Sequence, residues 1–471
     1  MSSSIRSTQG TGRFGTVRSR VRQGFSVVIR RPPRIGTTLA VTAGGVASLA
    51  PGLLPRTAGA QAILSALLVV VALVIAGLAR IMLRWRGIDV SARWSGYRWW
   101  VAGVGVVALA GAGVHANYWQ NRLRAAMNFP GVGPGYWAQC LLGAVVIIAL
   151  AIGAVRGLRW AVRRLGRMRS VGLGVLAVLA TQFAVVPALV QWREQAYAAA
   201  NAELEPDVVQ PVSYSRSGST GSAVSWPSLG AQGRRFVAGQ PQRGVRVYVG
   251  LESAPDLDSR VALAISELER SGGLRRSNLV VVVPTGSGWI DGQAAEGLDR
   301  RFGGDVALVG LQYSEAPSWA TFVFGRAAAE RSARALFTAV EHRLAALPDP
   351  PHLYVYGQSL GATAGSAIFA DDTDQRHRVC AALWAGPPAN QVHRTRATVL
   401  ANSSDPVVRW SPELLWRAPD LTDTRPDAPQ PRWLPVISFL QTSADLLAAL
   451  APAPGHGHRY GIDQGTALGG C

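Results

Sequence analysis

Gly357-Gln358-Ser359-Leu360-Gly361 follows directly on the apolar run 353–356 and opens into the small-residue stretch 362–367. A short buried strand, a tight turn with serine at its apex and then a helix is the setting in which a G-x-S-x-G pentapeptide forms a nucleophile elbow. Glycine is needed on both sides of the serine because the backbone there is strained and crowded, and a Cβ would strike the neighbouring strand or helix. Ser359 is therefore the candidate nucleophile.

A serine hydroxyl is unreactive at neutral pH. It needs an imidazole to take its proton and a carboxylate to fix the imidazole's tautomer and balance its charge. Behind an elbow, the partners are expected downstream, acid first and histidine second, each on a loop after a later strand. The run 397–401 reads as such a strand and leads into Asp405, which Pro406 would hold rigidly. Asp405 is the expected acid, with an Asx-Pro turn as the competing reading. Asp371, Asp372 and Asp374 follow the elbow helix too closely, and Asp445 sits in a helical-looking segment where a solvated or capping carboxylate is expected. His456 and His458, in the glycine-rich stretch 454–460, are the two candidate bases. Spacing does not separate them; the reading leans to His458 pointing inward while His456 braces the loop. A His-x-His metal pair is the alternative, without a third ligand at matching spacing.

The oxyanion of an acyl-transfer intermediate needs two preplaced N–H donors. One is expected from Leu360 and the other from Thr285, Gly286 or Ser287, in the glycine-rich loop that ends the apolar run 279–283. Such a loop can also cradle phosphate, but the chain has no Walker pattern and no lysine. The absence of lysine also excludes a Schiff base and a Ser-Lys dyad. No cofactor and no metal is expected.

The elements that must carry these residues are legible in the second half. From 243 onward, short β-branched runs (245–249, 279–283, 306–312, 353–356, 379–384, 397–401) alternate with helical stretches near 258–271, 291–302 and 325–347. That alternation predicts a doubly wound, mostly parallel sheet covered on both faces, with Ser359 at the carboxyl end of a central strand.

The first half is of another kind. Five apolar stretches, 35–54, 61–83, 99–118, 137–157 and 171–190, each approach the ~20 residues a helix needs to cross a bilayer; the first is interrupted by Pro51 and glycines. Residues 1–190 hold 22 arginines and one acid, Asp89, whereas residues 191–471 hold 25 arginines against 27 acids, so the net charge of +19 belongs to the first half. The arginines fall 8 before the first stretch and then 1, 5, 2 and 6 between and around the others. This alternation fits the positive-inside rule with a cytoplasmic N-terminus and everything after 190 on the outer face. It argues against nucleic-acid binding, because the charges punctuate apolar spans instead of gathering on one soluble surface. It leaves the bilayer as the expected partner. No Asp, Glu or Arg lies well inside a span, which argues against proton-coupled transport.

The expected organisation is thus a disordered cytoplasmic tail (1–34), a transmembrane bundle (35–190), a polar Ser/Gly-rich tether (191–242) and a catalytic domain (243–471). Three cysteines, Cys140, Cys380 and Cys471, do not make a disulfide framework, although a Cys380–Cys471 bridge is open to the chain.

With the spans and the triad order in hand, the chain resembles the actinobacterial membrane-anchored α/β-hydrolase family, which joins a multi-pass N-terminal membrane domain to a C-terminal α/β-hydrolase domain. The resemblance is carried by 48–56, 284–289, Tyr356 to Gly361, Asp405-Pro406-Val407 and 455–460, and covers roughly 35–471. One departure is visible: the strand 245–249 leads to the next through a helix, where many hydrolases begin with an antiparallel hairpin. The Ser359, Asp405 and His458 or His456 set reads as the triad of a serine hydrolase, and the membrane segments suggest a lipid or acylated small molecule as substrate, an ester or thioester of an envelope acyl group. An acyltransferase with the same triad, a peptidase and a catalytically silent lipid-binding scaffold are the alternatives; protein partners are not indicated. Trp289, Trp319, Trp384 and Trp410 are candidates to line an acyl pocket.

Overall fold

The computed structural model describes residues 34–87, 95–240 and 243–471, which form two compact units. The expectation of a disordered tail falls, apart from Arg34, outside the described residues.

One unit takes in the described residues up to Ala50, Thr57–Gln120 and Val132–Gly153. Four helices of the chain are long and apolar enough to cross a membrane: Ala58–Trp85, Arg98–Ala126, Pro134–Leu165 and Met168–Ala202. Many of their large apolar side chains face outward, Val107, Leu141, Leu150, Leu176 and Phe183 among them, as lipid-facing helices require. The last contains a π-helical turn, Thr181–Val185, just before Pro187. Proline lacks an N–H and crowds the carbonyl four residues back, and a π turn relieves that conflict without breaking the helix. The first expected span is shorter than the rest. Its helix, Ile35–Ser48, has 14 residues, about 21 Å at 1.5 Å per residue, and the chain leaves it before Pro51.

The second unit takes in Pro51–Arg56, Asn121–Gly131 and Ala154–Cys471. Its centre is a six-stranded, wholly parallel sheet: β1 (Val245–Val249), β2 (Asn278–Val283), β3 (Val306–Leu311), β4 (His352–Gln358), β5 (Ala381–Ala385) and β6 (Ala397–Leu400), in the order β1-β3-β2-β4-β5-β6. Four of the five registers are parallel neighbours of β2, β4 or β5, and β1 pairs in parallel with β3, so there is no opening hairpin. Parallel strands covered on both faces are apolar throughout: β1 and β3 are buried at every position. Right-handed crossovers put the helices Leu257–Arg270, Arg326–Ala345 and Leu360–Ser366 on one face. The reversal from β2 back to β3 puts Gly292–Arg301 on the other, where it packs against Asp463–Thr466.

The expected tether is the largest difference from the sequence reading. Residues 213–240 are folded onto the edge of the sheet, with Ser217 N–H on the Arg246 carbonyl and Arg246 N–H on the Ser215 carbonyl. Two buried arginines complete the attachment. Arg246 donates to the Phe236 and Gln240 carbonyls at 2.9 and 3.0 Å, and Arg216 donates to the Val237 carbonyl at 3.1 Å. They cap the C-terminal end of the helix Gly230–Ala238, where unpaired carbonyls and the helix dipole favour a cation. Burial pulls Arg216 down to about 10 and Arg246 to about 9. The helix before this segment also runs to Ala202, past the expected end of the spans at 190.

Candidate active site

The register aligns the carboxyl ends of four strands. Val283 faces Gly357, Gln358 faces Ala385, and Ala385 faces Leu400. The loop after β2, the turn after β4, Gly386 after β5 and the segment 401–405 after β6 therefore open on one edge, where ligands bind in sheets of this kind.

Ser359 ends β4 with φ 56° and ψ −125°, a strained conformation for a residue with a side chain, and the helix Leu360–Ser366 begins immediately after it. Its N–H bonds to the Ala385 carbonyl at 2.8 Å. The flanking glycines are sterically required. A Cβ on Gly357 would lie 2.3 Å from the Gly361 carbonyl oxygen, and one on Gly361 would lie 2.2 Å from the Val283 carbonyl oxygen.

Asp405 is completely buried and caps the short helix Pro406–Arg409, its Oδ1 accepting the Val407 N–H at 2.8 Å. The Asx-Pro turn and the acid role are thus compatible, because the turn uses Oδ1 and leaves Oδ2 for other partners. Oδ2 meets His458 Nδ1 at 2.7 Å and accepts the Tyr460 hydroxyl at 2.7 Å. A carboxylate can only accept, so Nδ1 carries a hydrogen, and in the neutral ring the lone pair is then on Nε2. Nε2 is buried and has no hydrogen-bond partner among the described residues. The two histidines are thereby distinguished: His458 reaches Asp405, whereas His456 Nδ1 lies 3.4 Å from Asp427.

The loops bearing acid and histidine are stitched together. Asn402 Nδ2 donates to the Gly457 carbonyl at 2.8 Å, Gly457 N–H donates to Ser404 Oγ at 2.9 Å, and Ser404 Oγ in turn donates to Asp427. Gly386, at φ 58°, makes room for the imidazole, since a Cβ there would lie 2.7 Å from His458 Cε1. Ser359, bonded to Ala385, and His458, whose ring lies close to Gly386, therefore adjoin two consecutive residues at the end of β5. No hydrogen bond joins Ser359 and His458.

Of the expected oxyanion donors, Thr285 N–H is taken by the Trp289 carbonyl at 3.0 Å and Gly286 N–H by Ser318 Oγ at 3.2 Å. The N–H groups of Ser287 and Leu360 make no hydrogen bond among the described residues. Trp384 is fully buried beneath the elbow helix against Gly365, and Trp319 is largely exposed.

Two contributors were missed from sequence. Tyr460 carries a burial-raised hydroxyl, pushed well above its ordinary range and further held there by Asp405, so it stays a donor. Its signal was its position two residues after His458. Asp445, expected to be a solvated or capping carboxylate, is completely buried and paired with Arg56 at 2.8 Å; nothing local could reveal a partner 389 positions away. Cys380 and Cys471 are joined in a disulfide. Three metal-capable side chains meet there, His352 with the two cysteines, at the amino end of β4 and far from Ser359; the bonded sulfurs leave the His352 ring as the free ligand.

Two family models match the chain. One, described as the alpha/beta-hydrolase family N-terminus, matches residues 49–241; the other, described as the alpha/beta-hydrolase family, matches residues 245–398 and 389–468. A search of curated proteins found no match.

Proposed function

The chain belongs to the alpha/beta-hydrolase family over both its parts, and on that footing we propose that it is a membrane-anchored serine hydrolase acting through Ser359, His458 and Asp405 on an ester or thioester of a lipid or cell-envelope acyl group. The observation that carries this reading is the buried Asp405–His458 pair at 2.7 Å, its Nε2 unpartnered among the described residues, together with a serine held in elbow geometry at the end of β4.

In the reaction, Ser359 Oγ attacks the acyl carbonyl carbon while His458 Nε2 takes its proton. Asp405 keeps the imidazole oriented and balances the imidazolium charge. Leu360 N–H and a donor from the turn Thr285, Gly286 and Ser287 stabilise the oxyanion; Ser287 is the one whose N–H is uncommitted. The tetrahedral intermediate collapses to an acyl-Ser359 ester as His458 returns the proton to the departing alcohol or thiol. Water, deprotonated by His458, then attacks the acyl carbon, and as the bond to Ser359 Oγ breaks His458 returns that proton to the serine oxygen and the acid is released. His456 braces the loop.

The hydrolase part is extracytoplasmic and the N-terminus cytoplasmic in this reading. Three features support it. The arginines alternate across the apolar helices. Cys380 and Cys471 form a disulfide, a bond that persists in oxidising compartments. The linking segments Pro51–Arg56 and Asn121–Gly131 belong to the same compact unit as residues 154–471, and an even number of the long apolar helices separates each from the sheet.

The test is labelling of the full-length protein in membranes with a fluorophosphonate. The proposal expects labelling that Ser359→Ala abolishes; folded wild-type protein that resists the probe would remove the enzyme reading.

A further inference from the structure

Asp445 is fully enclosed, yet the chemistry above makes no use of it. Its Oδ1 takes Arg56 Nε at 2.9 Å, and its Oδ2 takes the Leu53 N–H at 2.6 Å. Arg56, itself 4% exposed, also donates to the Gln441 carbonyl at 3.2 Å, and its own carbonyl accepts Arg124 at 2.7 Å. Burial pushes the Asp445 carboxyl up, against the pull of Arg56 and the Leu53 N–H. An ion pair so enclosed is poor evidence for stability, because desolvation consumes the Coulombic gain; what such a pair supplies is a fixed geometry.

The geometry it fixes leads to the imidazole. Asp445 ends the helix Ile437–Asp445, the turn Leu446–Ala448 follows, and the next residue, Ala449, accepts the His458 N–H at 2.9 Å. Leu54 reaches the same loop directly: a Cβ on Gly457 would lie 3.0 Å from the Ala449 carbonyl oxygen and 3.3 Å from Leu54 Cδ2. On the other side of the nucleophile, Asn201, near the end of the last apolar helix, accepts Gln312 Nε2 at 3.1 Å, and that nitrogen also donates to the Ser287 carbonyl at 3.2 Å. Segments belonging to the N-terminal part of the chain thus hold both the histidine loop and the oxyanion loop.

We propose that Arg56 and Asp445 are positioning residues through which the segment Pro51–Arg56, joining the first two apolar helices, sets His458 for reaction with Ser359. The hydrolase part is catalytically complete only with that segment in place. This inference rests on the serine-hydrolase reading.

The experiment measures the second-order rate of fluorophosphonate labelling of the full chain in detergent, below the unfolding temperature of every protein compared. Asp445→Asn breaks the pair, and the double variant Arg56→Met with Asp445→Leu replaces it by apolar groups that pack without directional bonds. The expected result is a fall of about tenfold or more in both, because a displacement of about 1 Å in a catalytic group costs up to about a hundredfold. Val340→Ala, in the core of the helix Arg326–Ala345 and away from the site, is expected to lower the melting temperature and leave the rate unchanged. The decisive comparison is the double variant, whose stability recovers while its rate does not. Wild-type rates in both variants overturn the inference alone. Wild-type protein that is never labelled overturns the hydrolase reading and the inference with it.

Discussion

Tyr460 donates its hydroxyl hydrogen to the same carboxylate oxygen of Asp405 that holds His458 Nδ1, each at 2.7 Å. The hydroxyl oxygen also accepts the Asn402 N–H at 3.2 Å, so the phenol links the start of the acid loop to the acid itself. Two donors on one oxygen fix the carboxylate plane, and that plane fixes the imidazole.

Tyr460→Phe removes the donor and keeps the ring. A hydrogen bond to a charged group contributes about 1.5–3 kcal/mol, so kcat/KM for an ester substrate is expected to fall by about ten- to a hundredfold, with kcat bearing most of the loss. Because burial keeps the hydroxyl protonated well into the alkaline range, the ratio of wild-type to variant rates should be flat from about pH 7 to about pH 9. A ratio that closes toward the alkaline end, or equal rates throughout, would count against the positioning role.

Gly361→Ala places a methyl group 2.2 Å from the Val283 carbonyl oxygen, a backbone atom that cannot swing aside. The strand and the elbow helix would have to separate. The expected cost is at least about 3 kcal/mol, at the upper end of overpacking penalties, read as a fall in the thermal midpoint of the detergent-solubilised protein. A variant as stable as wild type would mean that β2 and the elbow are less closely packed than described.

The strands were legible because a parallel sheet covered on both faces is written as uninterrupted apolar runs, and 245–249 and 279–283 match β1 and β2 to within a residue. The elbow was legible for a related reason, since its two glycines are demanded by contacts with adjacent backbone. Composition misled at 213–240, where serine and glycine suggest a tether. Ser217 and Ser222 instead both donate to the buried Glu267, and Arg216 is enclosed within the fold. Small polar residues satisfy one another when buried, and a composition window cannot see the partners. The same limit hid Asp445, whose cation lies almost 400 residues earlier, and left His456 and His458 unresolved until the Asp405 carboxylate selected one of them.

A C-terminal reporter tests the orientation and the disulfide together. Cys471 is bonded to Cys380 at the start of β5, 91 residues away. A periplasmic-type reporter fused after Cys471 should be active, and the protein should migrate faster on a non-reducing gel than after reduction. Cys471→Ser should lose that shift and about 2–4 kcal/mol of stability. Activity from a cytoplasmic reporter alone, with both thiols free, would place the hydrolase part on the inner side.

The Asp445–Arg56 pair makes a pH-dependent prediction whose sign follows from burial. The Asp445 carboxyl is raised above its ordinary value, chiefly by desolvation, which Arg56 and the Leu53 N–H offset only in part. The folded state therefore binds this proton more tightly than the unfolded chain does. Its contribution to stability is fully present below the unfolded pKa, near about 3.9, and is lost as pH rises through the folded one. The stability advantage of wild type over Asp445→Asn, measured by thermal unfolding from about pH 3 to about pH 7, should be greatest at the acid end and shrink upward. Arg56→Met alone should cost about 3–5 kcal/mol at neutral pH, because it leaves a buried carboxylate without its cation, and adding Asp445→Leu should recover most of that loss. An advantage that instead grows with pH would mean that Arg56 stabilises the carboxylate by more than burial costs it.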